Sequence, residues 1–380
     1  MNCKIFKQCG SCDYLHLAYE EQLKKKREYC VQLVKKAKLS QVKVADTLGA
    51  QDPYHYRNKV IVGFNQRNEA GFYEENSHKI IPYTTCLLHD EESDAIIQKI
   101  ASLLRKYKIQ IYNEDRRKGF LRHVLIRRGI KTNQTMVVLV TTSSVFPGSK
   151  NFVKELTSQF KSIKTIVMNI NTRKTSIVLG NDEKILFGKG YIEDELCGLK
   201  FKISPKSFYQ INRDQCEVLY NKALFLLDLK GSETVIDTYC GIGTIGMVAS
   251  KKAKQVIGVE LNKDAVKDAI YNAKMNNIKN IRFINEDATA FMVELAKEKV
   301  EIDAVIMDPP RSGTTPAFIN AVKALKPKQV VYISCDPSTQ VRDLGLFKEA
   351  GYEFDTMIPM DMFPMTEHVE TVVLMSRVQK

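Results

Sequence analysis

The chain of 380 residues has no tryptophan and no apolar run approaching the ~20 residues a bilayer-spanning helix needs. Its first twelve residues, MNCKIFKQCGSC, carry charges with no apolar signal core behind them. No internal repeat, low-complexity tract or Pro/Ser-rich linker breaks the chain. Membrane anchoring and secretion are therefore not expected. A cytoplasmic globular protein is, and nothing in the sequence calls for an obligate protein partner. The length exceeds one ordinary compact core and predicts two or three domains. Acid is the minority charge: Lys plus Arg number 57 against 44 Asp plus Glu, a formal net charge of +13. A basic excess suits a polyanionic partner only slightly better than a solvated lysine-rich surface. The nine cysteines are odd in number. Without a secretory signal they read as thiols, metal ligands or nucleophiles rather than disulfides.

Three textures follow one another. Residues 1–90 open with clustered cysteines, then a basic helical run from Tyr19 to about Lys38, then short strand-like pieces such as Lys59–Phe64. Residues 91–205 read as mixed α/β, with a helix over Asp94–Tyr107 capped by Ser93, a hairpin of Val124–Ile126 with Met136–Val140, and a helix over Asn151–Phe160. Residues 206–380 alternate strand and helix, with strands expected at Thr234–Tyr239, Gln255–Glu260, Ile281–Asn285, Asp303–Met307, Gln329–Ser334 and Glu370–Met375. Such alternation means a doubly wound, mostly parallel sheet that binds ligands at the carboxyl ends of its strands.

Those strand ends carry the chemistry. Asp237-Thr-Tyr-Cys-Gly241-Ile-Gly243-Thr-Ile-Gly246 lies between a strand and a helix, where glycine allows a tight turn and close approach to a ligand. Glu260 ends the next strand and suits both ribose hydroxyls of a nucleotide cofactor. This pattern fits a dinucleotide and S-adenosylmethionine almost equally. Asp287, just after the third strand, could meet an adenine edge as readily as solvent. Asp308-Pro-Pro-Arg311 ends the fourth strand, its prolines stiffening the turn, and suits methyl transfer to a planar base better than hydride transfer. Cys335, in Ser334-Cys335-Asp-Pro337, ends the fifth. Alone it reads more readily as packing, but its place at the same sheet edge favours a nucleophile, with a soft thiol suited to an electron-poor double bond. His368-Val-Glu370 precedes the last strand, and Glu370 in a closed pocket can act as general base. Cys3, Cys9 and Cys12, with the remote Cys86, have a spacing that allows zinc or an iron–sulfur cluster.

Taken together the chain resembles the RNA uracil-5-methyltransferase family along nearly its whole length. The resemblance rests on Cys3-x5-Cys9-Gly-Ser-Cys12, Phe208-Tyr-Gln210-Ile-Asn212, Asp237-Thr-Tyr-Cys-Gly-Ile-Gly243, Asp308-Pro-Pro-Arg311, Ser334-Cys335-Asp-Pro337 and Phe363-Pro-Met-Thr-Glu-His-Val-Glu370. It implies a Rossmann-like class I methyltransferase domain over 206–380, a central α/β RNA-binding domain over 91–205 and a small N-terminal iron–sulfur region over 1–90. It further implies Cys335 as nucleophile and Glu370 as base. Gln210, Tyr239, Glu260 and Asp308 would line the S-adenosylmethionine and base pocket, with Gly241, Gly243 and Asp287 near the cofactor. Cys3, Cys9, Cys12 and Cys86 would hold a [4Fe–4S] cluster. The implied substrate is RNA, 23S rRNA ahead of the T-loop of tRNA, because the cluster cysteines resemble the ribosomal branch. Two departures stand out: no N-terminal β-barrel RNA-binding domain is expected before the cysteines, and Ser11 replaces a frequent glycine. Phosphate contacts are expected from Lys24–Arg27, Arg116–Lys118 and Arg122–Arg128. A Rossmann dehydrogenase would explain the glycine turn and Glu260 but leave Asp308 and Cys335 idle. A non-catalytic RNA-binding iron–sulfur protein would leave every strand-end residue idle.

Overall fold

The computed structural model describes residues 3–74 and 77–378. Helix α1 (Tyr19–Lys36) has Glu20 and Glu21 in its first turn and Lys35 and Lys36 in its last, complementing the helix dipole. Its buried side chains, Gln22, Lys26, Cys30 and Val34, recur every four residues as one inward stripe. The short strand β1 (Lys43–Val44) follows.

Strands β2 (Lys59–Phe64), β3 (Ala70–Tyr73) and β4 (Ile80–Pro82), helix α2 (Glu91–Lys106), strands β5 (Leu121–Gly129) and β6 (Gln134–Thr141), helix α3 (Ser149–Gln159) and strands β7 (Ile163–Ile170) and β8 (Asp182–Gly188) build a sheet in the order β4-β3-β2-β5-β6-β7-β8. The sheet joins strands from both sides of residue 90, because β2 pairs with β5. Only β6 and β7 run parallel, which the α3 crossover requires. Strand β5 is buried at every position, and the period of two explains how. Val124, Ile126, Val137 and Leu139 face a core with Ile96, Ile100, Phe152 and Leu156 of α2 and α3. Leu125, Met136, Val138 and Val140 face the opposite core, shared with the C-terminal half. Helix α2 begins earlier than the sequence suggested: its N-cap is Asp90, which accepts from Ser93 N–H, and Ser93 is buried in the first turn. Asp90 wins because a carboxylate is a strong cap and two further acids, Glu91 and Glu92, favour starting there.

A hairpin of β9 (Ile192–Leu196) and β10 (Leu199–Ile203) leads into helix α4 (Arg213–Leu227). There follow β11 (Thr234–Thr238), α5 (Thr244–Ser250), β12 (Gln255–Glu260), α6 (Lys263–Met275), β13 (Ile281–Asn285), α7 (Ala288–Glu298), β14 (Ala304–Met307), α8 (Pro316–Leu325), β15 (Gln329–Ser334), α9 (Pro337–Glu349), β16 (Tyr352–Glu353), β17 (Thr356–Met360) and β18 (Glu370–Arg377). The second sheet has the order β1-β17-β18-β15-β14-β11-β12-β13, with β16 also on β18. Strands β11 to β15 are mutually parallel, and β18 is antiparallel to β15. The chain winds outward from β11 through β12 and β13, then returns to β14 on the other side, so the topological switch lies between β11 and β14. Strands β16 and β17, and the parallel addition of β1 to β17, fell outside the sequence expectation.

Candidate active site

The switch opens at the carboxyl edge of the sheet. A cavity of about 540 Å³ there is lined by Gln210, Tyr239, Gly241, Glu260, Asp308, Cys335 and Glu370, together with Arg311 and His368. Gln210 comes from the loop before α4, and the other polar side chains arrive at or next to strand ends. Parallel strands β11, β12, β14 and β15 end at this edge, and β18, being antiparallel, begins there. The register pairs Ser334 with Thr371, so the next step along β15 sets Cys335 across from Glu370.

The glycine turn holds one end of the cavity. Gly241 has φ of 55° and an added Cβ would meet nothing within 4 Å, so a side chain there would project into free space that a ligand can use. Gly243, at φ 82°, is needed for packing instead: its Cβ would lie 2.8 Å from the Phe283 ring. Glu260 is fixed by two backbone donors, Gly241 N–H at 3.0 Å and Asn262 N–H at 2.7 Å. Tyr239 Oη and Thr314 Oγ1 share a hydrogen bond of 3.3 Å, which steadies the phenol ring on the wall. Beneath the turn, Asp237 is fully buried, its carboxyl oxygens lack a well-aligned partner, and burial pushes its pKa well above the usual carboxylate range. Asp287 does not join the wall. Its carboxylate accepts from Ala290 N–H and caps α7, where a helix start supplies the donor it needs.

At the other end, burial dominates the titration. The Cys335 thiol is pushed up to about 11 by burial first, then by Glu370 and Asp308, while the Arg311 guanidinium opposes them. Burial raises Asp308 as well. Glu370 is raised by burial and by Asp308, and lowered by Arg311. Arg311 is thus the cation that favours the charged forms of both Cys335 and Glu370. Sequence alone assigns Arg311 no role within Asp308-Pro-Pro-Arg311. Its place three residues after Asp308, in a proline-stiffened turn, was the available signal. Cys335 is partly exposed, whereas Cys30, Cys216 and Cys240 are buried, although Cys240 also touches the 540 Å³ cavity. It lines the 540 Å³ cavity and also an adjoining one of about 300 Å³ formed with Tyr14, Tyr29 and Glu367. Arg311 and His368 are likewise shared by both cavities.

The loop before Glu370 is braced by the N-terminal segment. Asp13 and Tyr14 N–H groups donate to Met365 O, Glu367 N–H donates to Asp13, and Tyr56 Oη donates to Pro364 O. Lys26 Nζ donates to Phe363 O at 3.1 Å and pairs with buried Asp361 at 2.5 Å. The same segment carries the cysteines. Burial pushes the Cys12 thiol up to about 12, and Cys86, Cys9 and Cys3 add smaller contributions to the rise. Among the described residues, no three His, Cys, Asp or Glu side chains close around a point as a single metal ion requires.

Several expected phosphate contacts are spent internally. Lys26, Arg122, Arg127 and Arg128 are buried. Arg122 pairs with Glu114, Arg128 with Asp90 and Glu92, and Arg127 donates to Ser207 O. Arg116, Arg117 and Lys118 remain exposed. No helix of the described residues is long and apolar enough to cross a membrane.

A doubly wound sheet with a glycine turn at its switch point and an acid closing the second strand defines a Rossmann-like fold of the S-adenosylmethionine-dependent methyltransferases. Residues 18–378 match the profile of the family described as tRNA (uracil-5-)-methyltransferase. An uncharacterized RNA methyltransferase of Bacillus cereus is 42% identical over 382 residues, covering 100% of this chain and 83% of its own. A second, from Clostridium acetobutylicum, is 42% identical over 384 residues, covering 100% of this chain and 84% of its own. Among solved structures, the Pyrococcus abyssi tRNA (uracil-54, C5)-methyltransferase in complex with S-adenosyl-L-homocysteine superposes with a TM-score of 0.82 at 28% identity, over 96% of this chain and 86% of that one. The chain belongs to this family, the RNA uracil-5-methyltransferases, and uses S-adenosylmethionine as methyl donor.

Proposed function

We propose that the protein methylates carbon 5 of a uridine in 23S rRNA through a covalent adduct between Cys335 and carbon 6. The observation that carries this reading is the position of Cys335, at the wall common to two cavities and across from Glu370. S-adenosylmethionine, when bound, supplies an electrophilic methyl group. Gly241 with its open backbone, Glu260, Tyr239, Gln210 and Asp308 would hold it and the base, with Gly243 and Asp287 behind them. The target uridine leaves its stack, at a cost of a few kcal/mol, and enters beside the thiol. Arg311 favours the Cys335 thiolate, which adds to carbon 6 and leaves carbon 5 electron-rich. Carbon 5 takes the methyl group, Glu370 removes the carbon 5 proton, and the carbon–sulfur bond breaks by elimination to restore the ring and the thiolate. In this division of labour, residues 206–380 carry the transfer, 91–205 contribute RNA contacts and 1–90 hold the cysteine cluster.

What supports a [4Fe–4S] cluster is the chemistry of the donor set, four cysteine thiols, one for each iron. Cys3, Cys9, Cys12 and Cys86 would hold it, and it would cross-link the N-terminal segment that braces the loop before Glu370. The cysteines favour ribosomal RNA. The likeness to a solved tRNA (uracil-54, C5)-methyltransferase favours tRNA as the second reading. Mapping 5-methyluridine in rRNA and tRNA from a deletion strain separates them. Loss from 23S rRNA is expected, and loss from tRNA alone overturns the ribosomal assignment.

A further inference from the structure

A further cavity, of about 670 Å³, lies away from the transfer site, in the seven-stranded sheet where β2, β3 and β5 meet two surface loops. Its volume falls in the range that encloses a ligand of nucleotide size. Tyr73 and Tyr112 supply aromatic walls, and Arg117 and Lys174 supply exposed cations. Neither cation has an acidic partner within salt-bridge distance among the described residues. Glu114, the one acid on the wall among the described residues, is paired with Arg122 at 2.9 Å. Among the described residues, the cavity therefore sets two exposed cations beside aromatic rings.

Its walls are also fixed in place. The Arg122 side chain is 3% exposed and joins both loops. It grips Glu114 in one, donates to Asn171 O at 3.2 Å and Arg173 O at 2.9 Å in the other, and lies 5.0 Å from the Tyr112 ring centroid. An arginine that the sequence offered as a phosphate contact instead holds the shape of a site whose free charges are Arg117 and Lys174.

The cavity is tied to the transfer site by a short stretch of chain. Cys9 lines it, and Tyr14 lines the 300 Å³ cavity beside Cys335. Five Cα steps separate these residues, so their Cα atoms are at most ~19 Å apart. A few nucleotides of one extended strand can bridge that span.

We propose that this cavity takes a second unpaired nucleotide of the substrate RNA, stacked against Tyr73 and Tyr112 with its phosphate on Arg117 and Lys174. A single-stranded segment suits it because stacking and phosphate contact need an unpaired base. The proposal rests on the RNA methyltransferase reading and adds a substrate-selecting subsite to it.

The test uses the full chain, 23S rRNA transcripts substituted with 4-thiouridine, and the variant Arg117→Ala/Lys174→Ala, whose positions are exposed. In the wild type, photo-cross-links are expected in the peptides containing Tyr73 or Tyr112. The variant is expected to raise Kd and KM for RNA by about tenfold, with kcat at saturating RNA within about twofold. Wild-type cross-links confined to the cavities beside Cys335, or a variant with unchanged KM and Kd, overturns the proposal. Binding and cross-linking are read without turnover. A protein that cross-links at Tyr112 yet makes no 5-methyluridine refutes the enzymatic reading and leaves the subsite standing.

Discussion

Removing one member of the Lys26–Asp361 pair should destabilise the protein far more than a surface ion pair would. Both side chains have no exposed area, and the pair is 2.5 Å long. Tyr19 Oη adds a hydrogen bond to Asp361 at 2.8 Å, and Lys26 donates to Phe363 O at 3.1 Å. Burial alone lowers the lysine pKa, and Asp361 opposes that fall. In Asp361→Leu the buried ammonium loses its counter-ion, which costs about 3–5 kcal/mol. In Lys26→Met the carboxylate is left with Tyr19 as side-chain donor, at a similar cost. The double variant leaves no stranded charge and should be far less unstable than the sum, with a coupling of at least about 2 kcal/mol. Urea unfolding of the four proteins measures the cycle. Costs that add to within about 0.5 kcal/mol would show that the two residues act independently and refute the reasoning.

Other consequences concern the transfer step. Both the Cys335 thiol and the Glu370 carboxyl have pKa values raised by burial, and both act in their deprotonated forms. The single-turnover rate should therefore rise from about pH 7 to about pH 9, and Arg311→Gln should shift that rise to higher pH. A rate falling over this interval would contradict the assignment. Glu370→Gln should still add to the base and accept the methyl group but stall before release, so that mass spectrometry of the quenched reaction shows protein joined to methylated RNA; normal turnover would remove Glu370 from the mechanism. Cys12→Ser should lose bound iron and sulfide and lower kcat by about tenfold or more, because Asp13 and Tyr14 hold the Met365 loop. Iron content equal to the wild type would refute the ligand role.

The strands that build the switch point were legible in the sequence because each is a short apolar run between turn residues. Gln255–Glu260, Ile281–Asn285 and Gln329–Ser334 match the observed strands end for end. Strand β17 was hidden because Thr356-Met-Ile-Pro-Met contains a proline, which reads against a central strand. It is tolerated in a strand whose order was set by pairing with β18 and β1. Tyr239, Glu260, Asp308, Cys335 and Glu370 were legible as strand ends, since topology alone sends strand ends to one edge, whereas Gln210, in the loop before α4, came only from the family resemblance. What spacing could not show is where charge is spent. Arg122, Arg127 and Arg128 look like a basic patch, but alternation along β5 and nearby acids draw them inward. Asp287, expected near the cofactor, also caps α7, a second role that its place after a strand and before a helix provides.

The decisive measurement is mass spectrometry of the protein incubated with S-adenosylmethionine and RNA carrying 5-fluorouracil at the target uridine. Fluorine at carbon 5 cannot leave as a proton, so elimination is blocked. The wild type should accumulate a protein–RNA adduct whose linked peptide contains Cys335, and Cys335→Ala should form none. An adduct of equal yield in Cys335→Ala, or one mapped to another residue, would contradict the account.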